Sequence, residues 1–454
     1  MKKTVCLIFA VCLSVSLFAA YNRLGIPDSS EIRSGLEEQW FTAPLSEIRI
    51  NQPEIRANNN GEKFQIRLEE NESTFNVFVA PHAVIKVNVY SDRGMYTEEQ
   101  DLYPGDAAGS WVLIRDKRTG KPLRIRYYFL KDSDVFIQFT PQGKTALADL
   151  VLFGYYAARG VPTGMPFEKF YSASFEDVMT ITETKLPWNY VITDSQIYHS
   201  MKQMAAVIRE KLPTISMVND AMYDGNGDLV HISTGKKFEN IEKSDKAEKK
   251  LLLSSAGFVK WIADGLVEPL SGGLLKREPL IQETVNVKDN GRQGILSQKY
   301  DLFFSLNWVR NLSSAVISVY AGKTYLSTQS GVDVTVNPFA SSITDKGVAN
   351  TVTFVENSGY TVPVLKALLY VLAATEPCTL YFGAIRGRDR TVTPEVMAFN
   401  ECVAFFPYFQ NDGSFACNVF MNGREMTLED FCYFYADDFV YLTRVKSSES
   451  FFPD

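Results

Sequence analysis

The chain is poor in histidine, and this scarcity limits the chemistry that it can carry. Only three histidines occur in 454 residues, and none follows residue 231. The sequence also has no Cys-x-x-Cys pair, no His-Glu-x-x-His, no glycine-rich phosphate-binding motif and no Gly-x-Ser-x-Gly. These absences remove the sequence signatures of zinc centres, dithiol redox sites, nucleotide-binding loops and serine esterases. We therefore expect neither a metal ion nor a cofactor.

An excess of positive charge is missing as well. The formal net charge is −7 at pH 7. A chain with this balance is not attracted to phosphate backbones, so we expect no nucleic-acid partner. Because 46% of the residues are hydrophobic and 13% are aromatic, the composition predicts a folded core.

Long apolar runs are confined to the beginning of the chain. Lys2 and Lys3 precede an apolar stretch from Val5 to Phe18, and small residues stand just before Tyr21. This pattern predicts a bacterial signal peptide over residues 1–20 and a periplasmic or secreted protein. A retained anchor or a lipoprotein is the alternative. No later segment has the roughly 18 apolar residues of a membrane span, so we expect no transmembrane segment after cleavage.

Two of the six cysteines, Cys6 and Cys12, lie within residues 1–20. The other four all follow residue 377. An even number of cysteines in an exported chain is compatible with two disulfides in any of three pairings. Each of the four also stands in an apolar segment, which favours buried free thiols. The sequence leaves both possibilities open for Cys378, Cys402, Cys417 and Cys432.

Two domains of different type are predicted, giving an α+β fold. In residues 21–185, apolar residues alternate in short runs separated by turns, as in Phe64-Ile66-Leu68 and Phe75-Val77-Val79. This period of two predicts an antiparallel β-sandwich. After a connector at Pro187, residues 190–454 predict helices followed by a run of strands, an α+β domain.

The segment Ser254-Ser255-Ala256-Gly257-Phe258-Val259 predicts the start of a buried helix that runs to Ile262, with Asp264-Gly265, Pro269 and Ser271-Gly272-Gly273 as its terminating residues. It resembles the Asp-Cys-Ser-Gly-Phe-Val signature of NlpC/P60 hydrolases, which have a papain-like fold. Ser255 stands where that family has its nucleophilic cysteine. The resemblance implies a papain-like domain with Ser255 at a helix N-terminus. A serine at this point is also the ordinary cap of a helix, either through Ser254 or through Ser255.

The same resemblance implies a histidine downstream of the nucleophile, and this chain has none there. The best match to the family's histidine strand is Cys402-Val403-Ala404-Phe405, with Cys402 at the histidine position. Asn418 matches the polar residue that orients the histidine. A thiol does not replace imidazole as a proton shuttle near neutral pH. We therefore expect an inactive domain that binds or scaffolds peptidoglycan or another envelope component.

Two other functions stay open. Ser255 and His231 would form the nucleophile and base of a peptidase or amidase acting on peptide or peptidoglycan amide bonds. Alternatively, the β-sandwich would carry the function of an envelope adhesin or assembly subunit. Whether the chain is an enzyme therefore stays undecided, with the missing histidine favouring a non-enzyme.

A cluster of three arginines, Arg386, Arg388 and Arg390, follows a predicted strand. Guanidinium groups bind carboxylates and phosphates through paired hydrogen bonds, so the cluster is a candidate ligand clamp. A solvated loop with Asp389 as an internal ionic partner is the alternative.

Overall fold

A computed structural model describes residues 25–91, 94–238, 250–285, 302–340, 342–344, 347–349, 353–390, 393 and 395–453. The predicted signal peptide over residues 1–20 lies outside the described residues. The described residues form two compact units, and the chain passes from the first to the second at Thr193–Asp194. The segment Phe339–Asn350 belongs to the first unit, although the chain around it belongs to the second.

The first unit combines short helices with a large antiparallel sheet. The helices are α1 (Ser30–Ser34), α2 (Leu45–Ile48), α3 (Lys169–Ser172) and α4 (Phe175–Thr182), with a π-helical turn over Glu37–Phe41. The strands are β1 (Glu54–Ala57), β2 (Lys63–Glu70), β3 (Thr74–Pro81), β4 (Ala83–Ser91), β5 (Gly94–Leu102), β6 (Trp111–Asp116), β7 (Pro122–Tyr127), β8 (Val135–Gln142), β9 (Thr145–Leu152) and β10 (Tyr155–Pro162).

Eight of these strands join in one sheet of order β1-β2-β3-β6-β7-β8-β9-β10, while β4 and β5 pair with each other. The antiparallel strands predicted from alternation are thus present. Short turns link most of them, and short turns favour pairing between sequence neighbours. The hydrogen bonding consequently makes a single meander, which differs from the two facing sheets expected of a sandwich.

The core of the first unit contains a buried cation. The Arg33 side chain is fully buried and donates hydrogen bonds to the carbonyls of Tyr171 and Ala173 at 2.8 and 2.7 Å. It also donates to the hydroxyls of Ser29 and Tyr127. Because these acceptors come from α1, β7 and the segment around α3, Arg33 joins the helices to the sheet.

The second unit begins with helices and short strands. They are α5 (His199–Lys211), β11 (Ile215–Met217), β12 (Ala221–Tyr223), β13 (Leu229–His231), β14 (Leu251–Leu253), α6 (Ser255–Ser271), α7 (Arg277–Leu280) and α8 (Phe304–Ala321). The first-unit segment that follows contributes the hairpin β15 (Ser342–Thr344) and β16 (Gly347–Ala349).

The larger sheet of the second unit comes from its C-terminal part. Its order is β17-β18-β23-β19-β20-β21-β22, and all its pairs are antiparallel. The elements are β17 (Phe354–Val355), β18 (Gly359–Thr361), α9 (Leu365–Thr375), β19 (Thr379–Asp389), β20 (Val396–Phe409), β21 (Phe415–Met421), β22 (Arg424–Met426), α10 (Leu428–Phe434) and β23 (Phe439–Lys446). The predicted α+β class is confirmed.

Helices cover both faces of this sheet. On one face, Thr443 of β23 bonds the hydroxyl of Ser313 on α8 at 2.8 Å. On the other face, Phe405 of β20 meets Phe431 of α10, with ring centroids 5.1 Å apart. Helix α6 packs beside α8, where the indole N–H of Trp308 donates to the carbonyl of Ala256 at 2.9 Å. This packing brings the N-terminus of α6 to β20.

Helix α6 is longer than the sequence predicts. The helix predicted over residues 254–262 continues past Asp264-Gly265 to Ser271, and it ends where Gly272, in the last of the predicted terminators, adopts a left-handed conformation. The Lys260 ammonium lies 2.6 Å from the Asp264 carboxylate, so the charge is paired inside the helix. Gly265 leaves space for the C-terminal segment, because a Cβ there would lie 2.8 Å from the Phe451 ring.

Candidate functional site

The N-terminus of α6 is fixed by Ser254 and Gly257. Ser254 caps the helix, since its Oγ accepts a hydrogen bond from the Gly257 N–H at 3.1 Å and donates to the Ala221 carbonyl at 3.0 Å. A Cβ on Gly257 would lie 2.1 Å from that same carbonyl oxygen. Residue 257 is therefore glycine because the helix approaches the β12 backbone too closely for any side chain.

Ser255, the first residue of α6, is bonded to a strand backbone. Its Oγ accepts a hydrogen bond from the Cys402 N–H at 3.0 Å and donates to the Cys402 carbonyl at 3.2 Å. The cap and the nucleophile position are thus separate residues, Ser254 and Ser255. The Ser255 hydroxyl acts as a bridge between α6 and β20.

The Cys402 side chain lies away from the solvent. Its exposed fraction is 0%. Burial raises the pKa of the Cys402 thiol to about 12, with the Ser305 hydroxyl acting weakly in the opposite direction. A thiol in this state stays protonated at neutral pH and takes no proton from a nucleophile.

Asn400 of β20 lines the open space beside Ser255. The pairing of β19 with β20 shifts between Ile385 and Arg386, so Asn400 is an extra residue in a β-bulge. Bulges turn a side chain out of the regular alternation and are frequent beside functional sites. The sequence pattern alone does not reveal this bulge.

His231 has partners other than Ser255. It lies on β13, where its Nδ1 is 3.3 Å from Asp220 Oδ2 and its ring stacks on Phe238 with centroids 3.8 Å apart. Among the described residues, the hydrogen bonds of the Ser255 side chain go to Cys402 and not to His231. The structure therefore does not bring the proposed Ser–His pair into hydrogen-bonding contact.

Asn418 also lies apart from Ser255. Its amide donates to Glu425 at 2.9 Å, and it lines a separate cleft with Cys417 and Lys366. Strand β21 ends at Met421, and Asn422 lies in the turn to β22, where it lines the same cleft as Ser255. The Asn422-Gly423 turn is the sequence signal that would have pointed to this position.

A cleft of about 580 Å³ opens where α6, β20 and β21 meet. Three carboxamides line it, and they make no hydrogen bond among the residues that the structure describes. Three methionines are among the apolar residues that line it. The lining residues are Met217, Val218, Asn219, Ser254, Ser255, Asn400, Glu401, Met421, Asn422, Arg424, Met426 and Tyr435.

Two further clefts adjoin this one through Asn400. One, of about 550 Å³, shares Ser254, Ser255 and Asn219 with it and extends to Arg277. The other, of about 610 Å³, shares Glu401 and Tyr435 with it. Asn400 therefore lines all three clefts, which together form an extended groove.

The three arginines of the predicted clamp separate. Arg388 and Arg390 line the third cleft. Arg386 instead donates a hydrogen bond to the Ser358 hydroxyl, and its guanidinium lies 5.9 Å from the centre of the Phe399 ring. Only two members of the cluster are thus available to a ligand in that cleft.

The described part of the chain contains no cluster of three or more metal-binding side chains and no helix able to cross a membrane. The four cysteines Cys378, Cys402, Cys417 and Cys432 are free thiols in this structure.

Residues 22–190 match the family model of a domain of unknown function, DUF8515. The first unit is therefore similar to that domain, while α6 and the clefts lie outside the match. No curated protein and no solved structure matches the chain.

Proposed function

We propose that the second unit is a papain-like domain without hydrolytic activity, which binds an envelope component such as peptidoglycan in the groove around Asn400. The helix signature, the buried α6 and the flanking antiparallel sheet support the papain-like assignment. The signal-like residues 1–20 support a periplasmic or secreted location.

The observation that carries the proposal is the bonding of Ser255. Its hydroxyl is engaged with both backbone groups of Cys402. A serine nucleophile needs a base that accepts its proton. None of the described residues that line the three adjoining clefts is a histidine. A surface with this lining favours binding over bond cleavage.

The chemistry of the groove suits a chain of amide groups. Each of Asn219, Asn400 and Asn422 offers a donor and an acceptor to a peptide or an acetamido group. Methionine side chains adapt their shape to different apolar groups, and they are frequent on surfaces that accept varied ligands. Both features fit the peptide and amino-sugar parts of peptidoglycan.

Co-sedimentation with purified peptidoglycan tests the proposal. We expect the protein lacking residues 1–20 to sediment with the polymer, and Asn400→Ala with Asn422→Ala to reduce the bound fraction at least tenfold. Asn411→Ala is the matched control, because Asn411 is an exposed asparagine in the turn between β20 and β21, outside the groove. Chromatography of the supernatant should reveal no released fragments.

Absence of sedimentation, or equal sedimentation by all the variants, would reject the groove as the binding site. Release of fragments that stops in Ser255→Ala would instead establish the peptidase or amidase alternative.

A further inference from the structure

The cleft of about 610 Å³ lies at the end of the central strand β19. On one side, Arg386 pairs with Phe439 of β23, so the next step of this register sets Gly387 against Asp438. A Cβ on Gly387 would lie 3.1 Å from Asp438 Oδ1. On the other side, the bulge at Asn400 opens the pairing with β20. The cleft therefore results from the sheet's own geometry.

Side chains of both charges line this cleft. They are the guanidiniums of Arg388 and Arg390 and the carboxylates of Glu401, Asp437 and Asp438. Among the described residues, no ion pair joins these guanidiniums to these carboxylates. Arg388 approaches Glu395 at 3.8 Å, and Glu401 accepts a hydrogen bond from Tyr435 at 2.9 Å. Both signs thus remain available to a bound molecule.

The surroundings of Asp438 do not supply enough positive charge for its carboxylate. Desolvation raises the pKa of Asp438, and the nearby Asp437 and Glu401 carboxylates raise it further, while Arg390 opposes them. A raised pKa means that the ionised form of the carboxyl is destabilised in the folded protein, because burial and like charges outweigh the nearby positive charge. A cation placed beside these three acids would supply it.

We propose that this cleft binds a basic amino acid in the form with two cationic groups and one carboxylate. Its carboxylate lies against Arg388 and Arg390, where guanidinium groups recognise a carboxylate through parallel hydrogen bonds. Its cationic groups lie against Glu401, Asp437 and Asp438. The lining has one more acid than base, which matches a ligand with two cationic groups and one anionic group. This assignment is independent of the role of Ser255.

Calorimetric titration of the protein lacking residues 1–20 tests the proposal, with the two enantiomers of lysine as probes. We expect saturable binding of at least one enantiomer. Norleucine, which lacks the second ammonium, and cadaverine, which lacks the carboxylate, should each bind at least tenfold more weakly. Binding that is equal for all the probes, or absent up to 10 mM of each (about 2.7 kcal/mol of binding free energy at 298 K), would overturn the proposal.

Variants locate the site. Arg388→Gln and Asp438→Asn should each weaken lysine binding at least tenfold while the melting temperature stays close to that of the parent. Arg424→Gln is the control, because Arg424 lines the neighbouring cleft but not this one. If lysine binding survives in both cleft variants, the lysine site lies elsewhere and the assignment is overturned. Co-sedimentation with peptidoglycan is measured on the same variants. It distinguishes a failure of lysine binding from a failure of the proposed peptidoglycan binding.

Discussion

The Ser255 hydroxyl exchanges two hydrogen bonds with the backbone of Cys402, 147 residues away in the sequence. Through this exchange the first residue of α6 satisfies the backbone of a strand in the middle of the sheet. In the resembled family a reactive thiol occupies this position. Here the Ser255 hydroxyl joins the helix to the strand. We therefore expect removal of the Ser255 hydroxyl to change the stability of the protein. We do not expect it to change any catalytic activity.

Ser255→Ala should destabilise the second unit by about 1–2 kcal/mol, because it leaves the Cys402 N–H without its acceptor. Ser254→Ala should cost about 1 kcal/mol through loss of the helix cap. Urea denaturation followed by circular dichroism measures both changes as shifts of the midpoint at constant slope. A Ser255→Ala midpoint equal to that of the parent would contradict the structural role of this hydroxyl.

Gly257→Ala should destabilise the protein by about 1–3 kcal/mol, as expected for overpacking against a fixed backbone. The new methyl group would meet the Ala221 carbonyl 2.1 Å away. Gly273→Ala is the control, since nothing lies within 4 Å of a Cβ there. Thermal unfolding of the two variants should therefore separate them, and equal melting temperatures would show that α6 stands farther from β12.

Lys260→Met should cost about 3–5 kcal/mol, because it leaves the Asp264 carboxylate buried without a counter-charge. Both side chains are buried, with 1% and 8% exposed. Asp264→Asn added to Lys260→Met should restore most of the loss, since the amide oxygen still accepts from the Leu275 N–H. Lys366→Met, which breaks an exposed pair with Glu429, should change stability by about 0–1 kcal/mol.

The pH dependence of Lys260→Met is a further readout of the same pair. Desolvation raises the pKa of Asp264, and Lys260 opposes that rise. Without Lys260 the folded pKa should rise further. A folded pKa above the unfolded value means that the folded state binds more protons, so the variant should regain stability as pH falls. A variant whose stability falls with the parent's on acidification would contradict the burial of Asp264.

Thiol titration tests the state of the cysteines. Burial raises the pKa of the Cys417 and Cys432 thiols, the latter to about 11. With Cys402 likewise buried, these three should react slowly with a disulfide reagent at pH 8, because the thiolate is the reactive form. In denaturant, the protein lacking residues 1–20 should release four equivalents, one for each free thiol. Two or zero equivalents would reveal disulfides.

Lysine binding in the charged cleft should strengthen as pH rises through the raised pKa of Asp438. Deprotonation creates the negative charge that the ammonium needs. The groups that face this carboxyl are Asp437, Glu401 and Arg390, and Asp438→Asn should flatten the pH profile. Calorimetry between pH 4 and pH 8 measures the effect, and a profile unchanged in the variant would assign the dependence to another group.

The sequence predicts elements whose signal is local. The capping serine before α6 and the antiparallel strands of the first unit follow from residue type and alternation, and the structure has both. The prediction that α6 runs only to Ile262 was too short because Asp264 and Gly265 are ordinary helix terminators, whereas the later predicted terminator at Ser271-Gly272-Gly273 matches the observed end. Here the charge of Asp264 is paired with Lys260, and Gly265 makes room for Phe451. The Lys260–Asp264 pair lies within the helix at positions i and i+4, whereas the contact between Gly265 and Phe451 is tertiary and leaves no pattern in the sequence.

The groove was harder to predict because the geometry of the sheet brings its residues together. Asn400 lines it because of a bulge, and Asn422 lines it from the turn between β21 and β22. Neither relationship can be read from spacing along the chain. The arginine cluster was visible as a charge pattern, but the hydrogen bond that engages Arg386 with the Ser358 hydroxyl was not.

Labelling with a fluorophosphonate probe tests the central claim, that Ser255 is a structural bridge and not a nucleophile. The parent protein, Ser255→Ala and His231→Ala should all give the same background signal. Labelling of the parent that disappears in both variants would contradict the account and establish a working serine–histidine pair.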